Sequence, residues 1–229
     1  MHEFSIFGYS FSSYWTMLIL GAAATVLLSI LRAKKYEIGK VKAIIIALFV
    51  VILGCVGAKL LYILEAPGAS FSLRGGMSLY GSIILIPAGF GVLCFLLRMR
   101  YAGCMDFVAV FGPLIFALMR IGCYLGGCCG GREVELFGSS FVPPVQLIEA
   151  VLDVGILSLL LQRENKAASK ITGTQYPLFM ACYGFIRFFI EFWRDTPKIY
   201  FGFSEGQWLS VLSFLTGAGI LYLLKKKRG

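Results

Sequence analysis

Residues 40–62 of this sequence read KVKAIIIALFVVILGCVGAKLLY. An apolar run that follows two lysines and fills most of such a segment is typical of a membrane-spanning helix, which needs about 20 mostly apolar residues. Further runs of this kind predict helical spans near residues 14–31, 43–64, 80–97, 103–119, 146–161, 177–193 and 207–224. The sequence therefore predicts an all-α, polytopic membrane protein with about seven transmembrane helices.

The composition of the whole chain supports this prediction. Hydrophobic residues make up 59% of the 229 residues, whereas soluble domains are nearer half apolar. The first apolar run follows no basic stretch, so we do not interpret it as a removed signal peptide. We find no long linker, low-complexity region or clear internal repeat. A single membrane domain is therefore predicted over residues 1–229.

The positive charges predict the orientation of the chain in the membrane. Most of the 21 Lys and Arg residues fall into clusters that the predicted spans place on one side: Arg32, Lys34, Lys35, Lys40, Lys42, Arg98, Arg100, Arg163, Lys166, Lys170, Lys225, Lys226, Lys227 and Arg228. Because Lys and Arg are retained on the cytoplasmic side, the N-terminus is predicted outside and the C-terminus inside. Topology and anionic lipid headgroups explain these clusters, so nucleic-acid binding is not expected.

A few charged residues lie within or at the ends of apolar runs, where they are costly and usually mark function. Arg187, Glu191 and Arg194 are spaced to share one helix face, with Tyr183 one turn earlier. One interpretation is an internal ion pair that fixes helix packing. The other is an anion site in a water-accessible cavity, because two arginines and one glutamate leave a positive surplus that a phosphate could match.

A second arginine, Arg120, opens the glycine-rich stretch 120–132, RIGCYLGGCCGGR. Glycines at the end of a span allow the backbone to leave helical geometry and to approach a ligand closely. Arg120 could make a two-pronged contact to phosphate, and backbone N–H groups freed from the helix could add to it.

A third element begins at Pro143 and Pro144, which suit the start of a helix. Gln146, Glu149 and Asp153 then share one face of the fifth span. Buried carboxylates need partners, and Arg120 or Arg187 are the natural candidates. This element could be a structural support or part of a site.

A fourth element is the glycine-rich entry into the third span, residues 74–82, RGGMSLYGS. Its Tyr80 could be an interfacial anchor, since tyrosine favours headgroup depth, or a member of the site.

The seven cysteines include one cluster, formed by Cys123, Cys128 and Cys129. A disulfide across the glycine turn, unpaired packing thiols, and a direct role as acyl carrier, nucleophile or metal ligand are the alternatives. Zinc usually takes four ligands and no histidine is close in sequence, so no metal site is predicted.

These elements resemble, in order along nearly the whole chain, those of the prolipoprotein diacylglyceryl transferase family. The matching segments are Ser13–Trp15, Gly57–Tyr62, Tyr80–Gly81, Arg120–Gly122, the Pro-x-x-Gln-x-x-Glu element that ends at Glu149, Arg187–Arg194, and Gly206–Ser210. The resemblance implies a multi-pass enzyme of the bacterial cell membrane. It implies transfer of a diacylglyceryl group from phosphatidylglycerol, a membrane lipid, to the lipobox cysteine of a preprolipoprotein, with release of glycerol-1-phosphate and without a cofactor.

The resemblance also assigns roles to residues. It implies that Arg120, Arg187 and Glu191 are catalytic, and that Tyr14 and Gly131 belong to the site. From the residues themselves we add Tyr80 as a catalytic candidate, and Gln146, Glu149, Arg194 and Cys123 as substrate-binding candidates.

Three positions depart from the family's pattern. Tyr80 occupies the position of a family histidine that is a candidate base. Cys123 occupies the position of a family asparagine, and Cys128 that of a family glutamate. A tyrosine of ordinary pKa near 10 is a weak base at neutral pH. The alternatives are therefore a related transferase with a different acceptor, a lipid-binding or transport protein that lost the chemistry, and a thiol-dependent membrane oxidoreductase.

Overall fold

The structure is a computed structural model that describes residues 3–6, 9–65, 78–136, 139–166, 173–199 and 201–227. Two short antiparallel hairpins accompany the helices: β1 (Glu3–Ile6) pairs with β2 (Tyr9–Ser12), and β3 (Val134–Leu136) pairs with β4 (Ser139–Phe141). The eight α-helices of the described residues are α1 (Ser13–Ala33), α2 (Lys40–Glu65), α3 (Leu79–Leu96), α4 (Tyr101–Val108), α5 (Phe111–Leu125), α6 (Val145–Lys166), α7 (Gln175–Ile190) and α8 (Glu205–Lys226).

Six helical segments of the described residues are long and apolar enough to cross a membrane. They are α1, α2, α3, the α4–α5 pair, α6 and α8. The span predicted near 177–193 forms α7, whose 16 residues reach about 24 Å, less than the ~30 Å of bilayer hydrocarbon. The polytopic, helical architecture is confirmed, while the count of seven spans and the orientation stay predictions.

The outer surface of the bundle is apolar. Ile52, Phe95 and Leu215 are 63%, 83% and 60% exposed, respectively. Exposed aliphatic and aromatic side chains in such number would be unfavourable in water, but in a bilayer they contact lipid chains. The interior is packed with aromatic rings, of which Phe90, Phe107, Phe111 and Phe179 are almost completely buried.

Helices α2 and α3 cross at two glycines. A Cβ atom added at Gly81 would lie 2.0 Å from the carbonyl oxygen of Gly57, and one added at Gly57 would lie 2.5 Å from that of Gly81. Small residues of this kind allow membrane helices to approach until their backbones touch. The crossing brings the start of α3, with Tyr80, into the bundle interior.

A buried ion pair joins α1 to the C-terminal end of α6. Arg32 donates from Nε to the carboxylate of Glu164 at 3.1 Å and from Nη1 to the carbonyl oxygen of Phe107 at 2.6 Å. Glu164 lies 15 positions after Glu149, about 22 Å along α6. The two ends of α6 therefore hold separate charged groups.

Asp106, at the end of α4, fixes the start of α7. Its carboxylate accepts hydrogen bonds from the backbone N–H groups of Gly173 at 2.7 Å and Gln175 at 2.9 Å. These bonds satisfy N–H groups that have no partner within a helix. They also set the position of Tyr183 and Arg187, farther along α7.

Candidate active site

Arg120 and Glu149 come together where α5 ends and α6 begins. Both side chains are buried, and Nε of Arg120 lies 3.0 Å from Oε2 of Glu149. This contact is close but is not aligned as a hydrogen bond, so Nε of Arg120 has no hydrogen-bond partner among the described residues. The predicted pairing of this carboxylate with an arginine is confirmed.

Glu149 also contacts Arg187, which lies on α7, and Arg194, which follows the end of α7. Its Oε1 accepts a hydrogen bond from Nη1 of Arg187, and its Oε2 lies 3.5 Å from Nη1 of Arg194. One carboxylate therefore contacts three guanidinium groups from different parts of the chain. We call Arg120, Glu149, Arg187, Glu191 and Arg194 the arginine–carboxylate cluster.

Glu191 completes this cluster. Its Oε2 lies 2.8 Å from Nη2 of Arg187 and 3.6 Å from Nε of Arg194, and its Oε1 accepts a hydrogen bond from the hydroxyl of Ser204 at 3.1 Å. The neighbouring Gly206 lies close to this carboxylate, since a Cβ added there would lie 3.0 Å from the carboxylate of Glu191.

The sequence placed Arg187, Glu191 and Arg194 on one continuous helix face, and this was wrong for the last residue. Helix α7 ends at Ile190, a single 3₁₀ turn follows over Glu191–Trp193, and Arg194 has an extended backbone. The Arg194 side chain nevertheless reaches the two carboxylates, because Gly131 forms a β-bridge with Arg194 and Arg132 donates to the carbonyl oxygen of Trp193 at 2.9 Å.

The charges of the arginine–carboxylate cluster do not cancel. Three arginines face two glutamates, which leaves one positive charge in excess. Asp153, one turn after Glu149, is buried and forms no ion pair with the described residues. Nε of Arg120 and Nε of Arg194 are buried and have no hydrogen-bond partner within the described part of the chain. The arrangement thus offers unused guanidinium donors next to a positive surplus, as an anion site requires.

Gln146 and Gly131 support the loop beside this cluster. The side-chain amide of Gln146 donates to the carbonyl oxygen of Cys128 at 2.8 Å. Gly131 is closely packed, since an added Cβ would lie 2.6 Å from the carbonyl oxygen of Pro143. In the structure both residues hold the loop that follows α5.

Tyr80 is buried and hydrogen-bonded away from the arginines. Its hydroxyl lies 2.6 Å from Oγ of Ser210, and Ser210 donates to the carbonyl oxygen of Gly206 at 2.6 Å. Because a serine hydroxyl has one proton, Tyr80 must be the donor in the first bond. This arrangement leaves the phenol as a donor and not as a base.

Some predicted elements lie outside the described residues. They are the side chain of Tyr14, the segment 66–77 that includes the glycine-rich entry at Arg74, and His2. The backbone of Tyr14 belongs to the first turn of α1.

Polar side chains outside the predicted set of site residues complete the site. Tyr183 packs edge-on against Tyr80, with ring centroids 5.7 Å apart, and its buried hydroxyl has no hydrogen-bond partner among the described residues. The sequence had placed it one turn before Arg187 on the same face, without a role. Ser204 and Gln207 have the spacing of a capping box, which forms in the structure, and Ser210 ends a segment that matches the family. Neither pattern predicted the contacts of these serines with Glu191 and Tyr80.

An apolar cavity lies between α1, α2, α3, α4, α5 and α7. Its wall includes Leu18, Val50, Ile86, Phe116 and Phe179. Met119, directly before Arg120, and Leu79, directly before Tyr80, also line it. The described residues that line it are almost all apolar, and none of them belongs to the arginine–carboxylate cluster.

The three cysteines after Arg120 are brought together by the end of α5. Gly127 has a φ of +64°, Gly127 donates to the carbonyl oxygen of Tyr124, and Cys128 donates to that of Cys123. This is the Schellman arrangement, which turns the chain back over the last helical turn. We call Cys123, Cys128 and Cys129 the thiol cluster; all three are free thiols in the structure.

The exposed member of the thiol cluster has an altered acidity. A hydrogen bond from the Cys123 thiol, followed by the positive charges of Arg120 and Arg194, lowers the pKa of Cys129 to about 5. Burial raises the pKa of the neighbouring Cys128 thiol. Cys129 therefore has thiolate character at neutral pH.

Comparison with known proteins identifies the family. The profile of the prolipoprotein diacylglyceryl transferase family matches residues 2–223 of this chain. The chain belongs to this family. The match includes all residues of the arginine–carboxylate cluster and of the thiol cluster.

Individual relatives in the prolipoprotein diacylglyceryl transferase family cover most of the chain. Phosphatidylglycerol–prolipoprotein diacylglyceryl transferase 2 of Clostridium perfringens is 29% identical over 98% of this chain and 94% of its own length. The corresponding transferase of Clostridium tetani is 28% identical over 93% of each chain. That of Nitrosospira multiformis is 29% identical over 91% of this chain and 80% of its own.

Proposed function

We propose that this protein transfers the diacylglyceryl group of phosphatidylglycerol to the lipobox cysteine of a prolipoprotein and releases glycerol-1-phosphate. Its place is the bacterial plasma membrane, and its membership of the transferase family supports the assignment. The main structural support is the arginine–carboxylate cluster, in which three guanidinium groups, those of Arg120 and Arg187 buried and that of Arg194 half-buried, exceed two carboxylates.

Phosphate recognition is assigned to the arginines. Nε of Arg120 has no hydrogen-bond partner in the described structure, and the planar guanidinium group can donate to two oxygens of a phosphate. The surplus charge of the cluster matches the single negative charge of a phosphodiester. Glu149 and Glu191 hold the three guanidinium groups in place before substrate binds, so little reorganisation is needed.

The diacylglyceryl part of the lipid is assigned to the apolar cavity. Its walls come from six helices and include Met119 and Leu79, the sequence neighbours of Arg120 and Tyr80. A phospholipid whose phosphate contacts the arginines would extend an acyl chain toward Leu18, Val50 and Phe179.

The reaction is a substitution at the glyceryl carbon that carries the phosphate. The acceptor sulfur forms a C–S bond as the bond from that carbon to the phosphate ester oxygen breaks, and the electron pair leaves on the phosphate. Negative charge increases on the phosphate oxygens during this step. Arginines that bind the leaving group more tightly as its charge grows therefore lower the barrier.

The thiol proton can leave without a histidine. Glycerol-1-phosphate is a phosphate monoester whose second pKa is near 6, so it can accept one proton as it forms. The thiol proton is then taken up by the phosphate of the product. Tyr80, whose proton is donated to Ser210, need not act as a base.

The test is rescue of cells depleted of their own transferase, with the mass of a reporter lipoprotein as the readout. Wild-type protein should add one diacylglyceryl group to the reporter, and the purified protein should release glycerol phosphate from phosphatidylglycerol. Arg120→Ala should abolish both. Arg163→Ala, which changes an exposed arginine near the other end of α6, is the matched control and should retain both.

A membrane-inserted wild-type protein that neither rescues the cells nor releases glycerol phosphate would contradict the proposal. Tight binding of phosphatidylglycerol without its consumption would instead support a lipid-binding or transport role.

A further inference from the structure

The end of α5 carries side chains that the proposed transfer does not use. The Sγ atoms of Cys123, Cys128 and Cys129 all lie within 4.8 Å of one another. Sulfur ligands at about 2.3 Å from a tetrahedral metal ion are about 3.8 Å apart. The sulfurs of the thiol cluster are therefore close to the spacing of a metal site before any metal binds.

We propose that the thiol cluster binds one soft, thiophilic d¹⁰ metal ion, with Zn²⁺ and Cu⁺ as the two candidate ions. Thiolates are the ligands that these ions prefer, whereas Mg²⁺ and Ca²⁺ prefer oxygen. Three protein ligands suit a trigonal Cu⁺ site, or a Zn²⁺ site whose fourth position is open to water or to an added ligand. This inference is independent of the proposed transfer reaction.

The backbone holds the three sulfurs in place. The Schellman turn at Gly127 returns Cys128 to the last turn of α5, where Cys123 lies. The carbonyl oxygen of Cys128 accepts a hydrogen bond from Gln146, and that of Cys129 accepts one from Arg194 at 3.5 Å. The position of the loop is therefore fixed from α6 and from the segment after α7.

Cys129 has an unusual backbone conformation that these contacts maintain. Its φ is +60°, a left-handed conformation that is uncommon for residues other than glycine and costs of order 1 kcal/mol or more. With this backbone conformation, the Cys129 thiol lies beside the thiols of Cys123 and Cys128. Cys123 is buried, Cys128 half-buried and Cys129 exposed, so an ion can enter from the Cys129 side.

The charge around the thiol cluster also suits a metal thiolate. Three thiolates and Zn²⁺ give a net charge of minus one, and with Cu⁺ minus two. Arg120 and Arg194 both act electrostatically on this cluster, and their positive charges offset the remaining negative charge. The same arginines contact Glu149, so the two clusters are adjacent.

Metal titration of the purified, reduced, full-length protein in detergent tests the proposal. Cd²⁺ serves as a spectroscopic probe, because cadmium thiolates absorb in the ultraviolet, and Zn²⁺ and Cu⁺ are measured by competition with a chromophoric chelator. The wild type should bind one equivalent. Cys129→Ser, which changes an exposed side chain, should weaken binding about tenfold or more, since even loss of a residue that supports a ligand costs that much.

Cys182→Ser is the matched control, because Cys182 lies on α7 outside the thiol cluster; it should bind one equivalent with unchanged affinity. The stronger of the Zn²⁺ and Cu⁺ competitions identifies the ion. Three results would overturn the proposal: no binding by the reduced wild type, equal binding by Cys129→Ser, or a disulfide within the cluster found by mass spectrometry when the isolated protein is trapped with a thiol-blocking reagent.

Discussion

The guanidinium of Arg187 donates a hydrogen bond to the carboxylate of Glu149, and both side chains are buried between α6 and α7. Neither charge could be tolerated alone at this depth, because an isolated buried charge is costly. The pairing allows the bundle to keep arginines at the site.

Glu149→Gln should therefore destabilise the protein. Removing one charge leaves the buried Arg120 and Arg187 and the half-buried Arg194 facing Glu191 alone, and breaking such a buried pair costs about 3 kcal/mol or more. The midpoint of thermal unfolding in detergent should fall, and transferase activity should be lost. Glu135→Gln, which changes an exposed residue of β3, is the control. Equal midpoints for both variants would show that the ion pairs contribute little.

Arginine-to-lysine changes separate phosphate recognition from simple charge. Arg120→Lys and Arg187→Lys keep the charge but lose the planar pair of donors. Each should lower kcat/KM for phosphatidylglycerol about 10²-fold, the scale for losing one preorganised donor to a developing oxyanion. Activity near the wild-type value in Arg187→Lys would argue for a purely structural ion pair at that position.

Tyr80→Phe tests whether the phenol acts as a base. Its proton is donated to Ser210, so we expect a loss of about 1 kcal/mol in stability from one hydrogen bond and less than about a tenfold loss in activity. A loss of about 10²-fold or more, with normal expression, would instead indicate general base catalysis. Higher turnover in Tyr80→His would show that a base at this position still assists the reaction.

Tyr183→Phe should have opposite effects on stability and on activity. The buried hydroxyl of Tyr183 has no partner among the described residues, and such a group costs about 1–3 kcal/mol. Its removal should leave the unfolding midpoint unchanged or raise it. If the hydroxyl binds substrate, kcat/KM should fall at the same time. Unchanged kinetics would show that the hydroxyl has no partner in the substrate complex either.

The reactivity of Cys129 should depend weakly on pH. Because its pKa is lowered to about 5 by the Cys123 thiol and the neighbouring arginines, Cys129 is already a thiolate above that pH. Its alkylation rate in reduced, metal-free protein should be nearly constant between about pH 6 and pH 8, whereas an ordinary thiol, with a pKa near 8.5, reacts about tenfold faster per pH unit there. Peptide mass spectrometry measures each site, and a tenfold rise per unit at Cys129 would refute the lowered pKa.

The fold was largely predictable from the sequence, because long apolar runs leave the chain few alternatives in a bilayer. The partners of Glu149 were also predictable, since a buried carboxylate must find a cation. The end of α7 at Ile190 was not predictable: its periodicity continues to Arg194, and the chain changes direction because Gly131 and Arg132 bind the segment after Ile190. Contacts between segments that are far apart in the sequence do not change the residue periodicity of either segment, so they cannot be predicted from it.

The role of Tyr80 shows a similar limit. Its place in the glycine-rich entry to α3 was visible in the sequence, but its hydrogen bond to Ser210 on α8 joins residues 130 positions apart. The thiol cluster was partly predictable from the sequence. The spacing of Cys123, Cys128 and Cys129 was evident, yet their convergence depends on the left-handed backbone at Gly127 and Cys129.

The crossing of Gly57 and Gly81 constrains how the chain can vary and how it is inserted into the membrane. Because each glycine occupies the space that the other's side chain would need, a methyl group at either position must separate α2 from α3 along their whole contact. A saturation library should therefore return glycine at both positions among functional clones. During biosynthesis the two segments should leave the translocon as a paired hairpin, already in their final register.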